Sequence, residues 1–173
     1  MPRVPEVSPQ GEVADQIRLR RPGGILRPID RVLLHSPRLA AGWNQLLGAI
    51  RTQTDLRPDL RELIILRIAV LNGAAYEWDS HLADAAAAGI DERHLAALRA
   101  EELDSAAFDD LQLAVLRLTD RLTREVAVDD DAFSTLADEL GAARLVELVT
   151  TVAAYNMVSR LVVGLGVESE AVR

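Results

Sequence analysis

Residues Pro58–His81, PDLRELIILRIAVLNGAAYEWDSH, decide the fold. Apolar side chains fill most positions from Leu60 to Leu71. A helix that is apolar nearly all round is buried, not laid on a surface. Pro58 suits the first position of such a helix, where its missing N–H is no loss. Asn72-Gly73 suits the end, because glycine accepts the left-handed conformation that caps a helix. A second helix then starts at Ala74 or Ala75 and runs to Ala88, with Gly89 as its stop. Glu62, the Tyr76-Glu77-Trp78 cluster and His81 stand out from this aliphatic background. A charge on a buried helix has to be paired or neutralised, so Glu62 requires a partner.

Outward from this stretch the helical spacing continues. Ile29–His35 reads as a short helix closed by Ser36-Pro37, since a residue before proline avoids helical angles. Residues 37–52 place Leu39, Trp43, Leu46, Leu47 and Ile50 on one stripe, with Trp43 as a core residue. Beyond Gly89, Asp91 caps a helix to about Ala100. Asp104 or Ser105 opens another, through Leu111, Val115, Leu118 and Leu122. Asp129–Asp131 caps a short helix ending at Gly141, and residues 142–164 form a last long one. No segment has strand periodicity, so the chain is read as all-α, with about seven or eight helices. Five of the seven prolines and Gly23-Gly24 lie within residues 1–28, which reads as an extended, loop-like lead-in. Its Arg18, Arg20 and Arg21 read as solvated, or as pairing with acidic surface of a neighbouring subunit. Residues 29–167 then form a single helical domain, and residues 168–173 a polar tail.

Composition narrows the chemistry. The chain has 173 residues, 49% of them apolar but only 3% aromatic, so its core is aliphatic. A net charge of −8 argues against nucleic acid and against an anionic membrane surface. The apolar run of Leu161–Val163 with its neighbours is far too short to span a bilayer. No secretory leader is visible, which makes the cytoplasm the expected location. The sequence has no cysteine, which excludes disulfides, thiolate metal sites and thiol catalysis. It also has no lysine, which excludes Schiff-base chemistry. Neither GxGxxG nor GxxxxGK[ST] occurs, and no GxSxG elbow offers a serine nucleophile.

The spacing of the polar groups suggests a site. Glu77 and His81 are four apart and share a helix face. If the two helices run antiparallel about Asn72-Gly73, Glu62 and His81 lie at similar distances from the break, within about 3 Å at 1.5 Å rise per residue. A carboxylate facing an imidazole in an apolar slot is an acid/base pair fit for proton transfer. The alternative is a structural histidine and an internal ion pair, with Arg61, Arg67 or Arg160 as partner to Glu62. A metal on Glu77 and His81 lacks an obvious third ligand, so no metal is expected. His35 and His94 read as surface or helix-end residues.

Three segments carry a resemblance. LRELIILRIAVLNGAAYEWDSHLADAAAAGI, LVELVTTVAAYNMVSRLVVGLGV and the earlier HSPRLAAGWNQLL resemble the carboxymuconolactone decarboxylase family, which shares its fold with the alkylhydroperoxidase D proteins. The similarity runs from about residue 30 to 167, with YEWxxH and YNxVxR as its more specific motifs. It implies an alkylhydroperoxidase D-like helical subunit, assembled as a trimer or hexamer, with its site near a subunit interface. The thiol branch of that superfamily has a Glu, a CxxC pair and a His. Glu62 and His81 match the first and last, whereas Ala74 and Glu77 stand where the cysteines would be. A disulfide-cycling peroxidase is therefore excluded. The decarboxylase-like branch needs neither thiol nor cofactor, and protonates a dienolate formed as carbon dioxide leaves a lactone acid. The resemblance implies His81 as proton donor or acceptor, Glu62 as its orienting partner and Tyr76 as a hydrogen-bond donor. Trp78, Glu77 and Arg160 would contact a small-molecule substrate, with Arg160 as a carboxylate clamp. A family member that has lost catalysis, and a peroxidase working without thiols, are the other readings.

Overall fold

The computed structural model describes residues 3–100, 102–128 and 130–169. Among them are eight α-helices and no strand: α1 Glu12–Arg20, α2 Pro28–Leu33, α3 Pro37–Thr52, α4 Pro58–Leu71, α5 Ala75–Ala87, α6 Glu92–Arg99, α7 Asp110–Arg124 and α8 Asp130–Leu165. A 3-10 turn, Pro22–Gly24, follows α1. The chain divides into two compact units, one of residues 55–161 and one of residues 1–54 with 162–173.

The first unit is built around α4, which packs against α5, α6 and α7. Leu60, Leu63, Ile64, Ile65, Leu66 and Ile68 are wholly buried, as expected of a helix without a polar face. Pro58 takes the first turn of α4, and Gly73, at φ 63°, the left-handed position after Asn72. A few residues further on, α5 begins. Asp91 caps α6 by accepting from the His94 N–H, and Asp109 caps α7 by accepting from Gln112. That second cap places the start of α7 at Asp110, later than the expected Asp104 or Ser105. The Asp104 side chain instead accepts from the Ala106 N–H, a local turn that competes with helix. Gly141, at φ 76° and ψ 162°, breaks α8 where the sequence suggested one helix ends and another begins.

Arg67 holds this unit together at its centre. It is wholly buried, and its guanidinium meets Asp120 through two bonds of 2.6 and 2.7 Å. It also donates to the carbonyls of Leu98 and Ala100, each at 2.8 Å. One α4 side chain thus ties α7 to the C-terminal end of α6, whose last carbonyls lack partners of their own.

In the second unit the lead-in departs from the extended reading. Prolines cluster at Pro5 and Pro9, then at Pro22 and Pro28, but residues 10–21 contain none, and there α1 forms with Ala14 and Ile17 buried. The three arginines are not simply solvated. Arg18 pairs with Asp15 at 2.7 Å, Arg20 donates to Asn44 Oδ1 at 2.6 Å, and Arg21 makes a buried two-point pair with Asp30 at 2.7 and 2.8 Å. Trp43 is half-buried and not a core residue. Arg3 reaches the carbonyl ends of α8, at Val163 and Gly164.

Phe133–Leu165 is long and apolar enough to cross a membrane by length and composition, which the short apolar runs did not suggest. Half of its most apolar 18-residue stretch is buried within the chain, as in a helix that packs as core. Arg67→Ala should destabilise the protein by about 3–5 kcal/mol, because it strands a carboxylate and two carbonyls. Replacing the exposed Arg57, paired with Asp59, should cost less than about 1 kcal/mol. Urea unfolding of both variants checks the contrast.

Candidate functional site

Helices α4 and α5 bring Glu62 and His81 together across the Asn72-Gly73 break. His81 Nδ1 lies 2.7 Å from Glu62 Oε2, and both residues are at most 2% exposed. The other carboxylate oxygen of Glu62 accepts from Arg61 Nε at 3.1 Å. The two partners foreseen for Glu62, an imidazole and an arginine, are therefore both present. Arg67 goes to Asp120 instead.

Electrostatics sets the state of this pair. Burial alone would raise the Glu62 carboxyl above its ordinary value of 4.5, and it is the largest single influence. The hydrogen bond and charge of His81, with those of Arg61, together outweigh it and hold the group below that value. Glu62 is thus the ionised partner that accepts from His81 Nδ1–H. That bond fixes the ring and turns Nε2 the other way, the arrangement by which a carboxylate orients a catalytic imidazole.

On the Nε2 side stands Glu77, one turn earlier on α5. Its Oε2 is 3.7 Å from Nε2, and the residue is 3% exposed. The Tyr155 ring of α8 meets the imidazole edge-on, with centroids 5.4 Å apart at 84°. Sequence reasoning missed Tyr155 as a site residue, although it opens the YNxVxR motif. It also missed Asp84, whose carboxylate lies close enough to Glu62 and His81 for the three to offer ligand atoms within 4.8 Å of one another. A cation there would compete for the groups of the Glu62–His81 hydrogen bond.

The remaining expected site residues are less closely gathered. Tyr76 is buried beside Glu77 in the chain. Trp78 is buried beneath Arg99, whose guanidinium carbon sits 4.5 Å from the ring centroid. Arg160 is exposed and donates to the carbonyl and side-chain oxygens of Asn156, at 3.0 and 2.6 Å. The structure does not bring it onto the Glu62–His81 pair, because the residue one turn back on its own helix captures it. Asn156 also accepts from Asn72 at the α4 end. His35 and His94 sit at the surface or a helix end as expected, His94 against Asp91 at 2.6 Å.

With this geometry in view, the comparisons are consistent. The model described as Carboxymuconolactone decarboxylase family matches residues 37–121, a span holding Glu62, Tyr76, Glu77, Trp78 and His81. Among solved structures, the chain is similar to a protein of unknown function from Agrobacterium tumefaciens, provisionally described as the antioxidant defence protein AhpD. The TM-score is 0.72 and the identity 23%, over 79% of this chain and 94% of that one. It is also similar to an uncharacterized peroxidase-related protein from Silicibacter sp. TM1040, with a TM-score of 0.74 and 14% identity, over 86% of this chain and 78% of that one. At such identities the likeness is one of fold. No curated protein matches.

The depressed Glu62 carboxyl has a consequence for stability. A group held below its unfolded value stabilises the fold fully above that value, and the gain disappears as pH falls through the folded value. Unfolding free energy should therefore decline as pH drops below 4.5. Glu62→Gln should remove Glu62's part of that decline and lower stability at neutral pH by about 1–3 kcal/mol. Urea titrations of both proteins from neutral to acid pH measure it.

Proposed function

We propose, for a chain that belongs to the carboxymuconolactone decarboxylase family through its residues 37–121, a cofactor-free acid/base reaction on a small lactone or other enolisable acid. The observation that carries this reading is the buried 2.7 Å Glu62–His81 contact, which leaves Nε2 of an oriented imidazole as the working nitrogen. In the decarboxylation, the bond between the ring carbon and the carboxylate breaks and carbon dioxide departs. The electron pair stays on the ring as a dienolate. The His81 imidazolium gives its Nε2 proton to carbon, and one proton is consumed per turnover. Glu62 stabilises the charged ring before that transfer and keeps it aligned after it. Tyr76 is the hydrogen-bond donor to the substrate, with Trp78 and Glu77 at its edges. The protein works in this reading as a cytoplasmic trimer or hexamer. Light scattering should then give three or six times the 18.9 kDa of the chain.

A second reading is favoured by one feature. Both oxygens of Glu62 are occupied, by His81 and by Arg61, as in a purely internal ion pair. On that reading the chain is an oligomeric binding or structural protein. Thiol peroxidase chemistry has no support in a sequence without cysteine.

Release of carbon dioxide from a panel of γ-lactone carboxylic acids separates the two. His81→Gln should lower turnover by about 10²–10⁴-fold, the range for loss of a general acid. Equal and negligible rates in wild type and variant across the panel would leave the structural reading.

A further inference from the structure

The oriented imidazole presents Nε2 to a second carboxylate, and that carboxylate is oddly provided for. Glu77 is 3% exposed, yet its Oε2 has no hydrogen-bond partner. A buried ionised oxygen without a donor is costly, so such a group holds a proton or receives a ligand. The 3.7 Å from Oε2 to His81 Nε2 is too long for a direct bond. One shared oxygen can still reach both. An atom about 2.8 Å from each would bridge them at an angle of roughly 80°. Trp78 Nε1 and Ser159 Oγ are also buried without a hydrogen-bond partner. Trp78 adjoins Glu77, and Ser159 lies one turn beyond Tyr155, whose ring meets His81.

We infer that Glu77 is a second acid of the site, which passes a proton to His81 Nε2 across one bridging water or ligand hydroxyl. This rests on the acid/base reading above. After His81 has protonated the dienolate carbon, its ring is neutral. The Glu77 carboxyl then gives its proton to the bridging oxygen, as that oxygen's own proton moves to Nε2. The imidazolium is restored and Glu77 is left ionised. Glu77 regains its proton from solvent when product leaves. No oxidant or metal enters the balance. The carboxylate stands where the thiol branch would place a cysteine, and it supplies there what a thiol also supplies, a transferable proton.

Glu77→Gln keeps the shape and removes the transferable proton. Steady-state kcat should fall at least tenfold. A readout independent of turnover comes from the ¹⁵N resonances of the His81 ring. The charged and titratable groups around it are Glu62 and Arg61 from α4, Glu77 and Asp84 from α5, and Tyr155 from α8. If Glu77 and His81 exchange a proton, the ring should titrate in two coupled steps, because the steps belong to the pair. Glu77→Gln should merge them into one, and Glu77→Asp should keep both. A His81 titration unchanged by Glu77→Gln overturns the inference, whatever the substrate. A two-step curve that collapses in the variant, with no decarboxylation of any lactone acid, upholds the Glu77–His81 relay and rejects the assigned reaction.

Discussion

Helix α4 is buried on every side, and that single constraint governs much of its unit. It admits two charges into the core, Glu62 and Arg67, less than two turns apart. Each has to find its counterpart inside the protein, because water cannot reach it. Arg67 does so completely. Four hydrogen bonds join it to a carboxylate and two helix-end carbonyls, which locks α6 and α7 onto α4. Glu62 is matched differently. One of its partners is an imidazole, a group that can change charge, and that imidazole looks toward a further carboxylate. The same helix therefore carries one charge that is settled by structure and one whose balance shifts with a proton.

This contrast bears on how the fold serves different reactions. The structural neighbours carry antioxidant and peroxidase-related descriptions, and they share the helical arrangement with this chain at low identity. Fold alone does not transmit chemistry. The Glu–His frame is compatible with thiol cycling only if cysteines stand before the histidine. Ala74 and Glu77 stand there instead, and neither can form a disulfide. A carboxyl at the second position keeps a proton donor close to the ring and gives up redox capacity.

Much of the helical plan was legible in the chain. Pro58, Gly73, Asp91 and Gly141 mark helix ends through backbone restrictions that hold in any context. The start of α7 was not legible, because Asp104 and Asp109 are equally good caps by composition, and only packing selects the second. The lead-in misled for a related reason. Its prolines are dense on average but leave a gap just long enough for α1, which is held by burial of Ala14 and Ile17. Glu62, Glu77 and His81, singled out by spacing and resemblance, lie together in the structure. Arg160 was expected at the same place, but a hydrogen bond to Asn156 holds it elsewhere.

By itself the sequence determined that the chain is helical, that α4 is buried, that thiol and lysine chemistry are absent, and that Glu62 needs a partner. These follow from local properties: apolar periodicity, proline and glycine restrictions, and the presence or absence of a functional group. Only the tertiary structure decided which partner each buried charge takes. Arg61, Arg67 and Arg160 were equivalent candidates for Glu62 along the chain, and three-dimensional packing gave Arg61 to Glu62, Arg67 to Asp120 and Arg160 to Asn156. Hydrogen bonds act over about 3 Å, and separation along a chain does not fix distance on that scale. The orientation of His81, with one nitrogen on Glu62 and the other facing Glu77, is likewise a product of helices meeting across space.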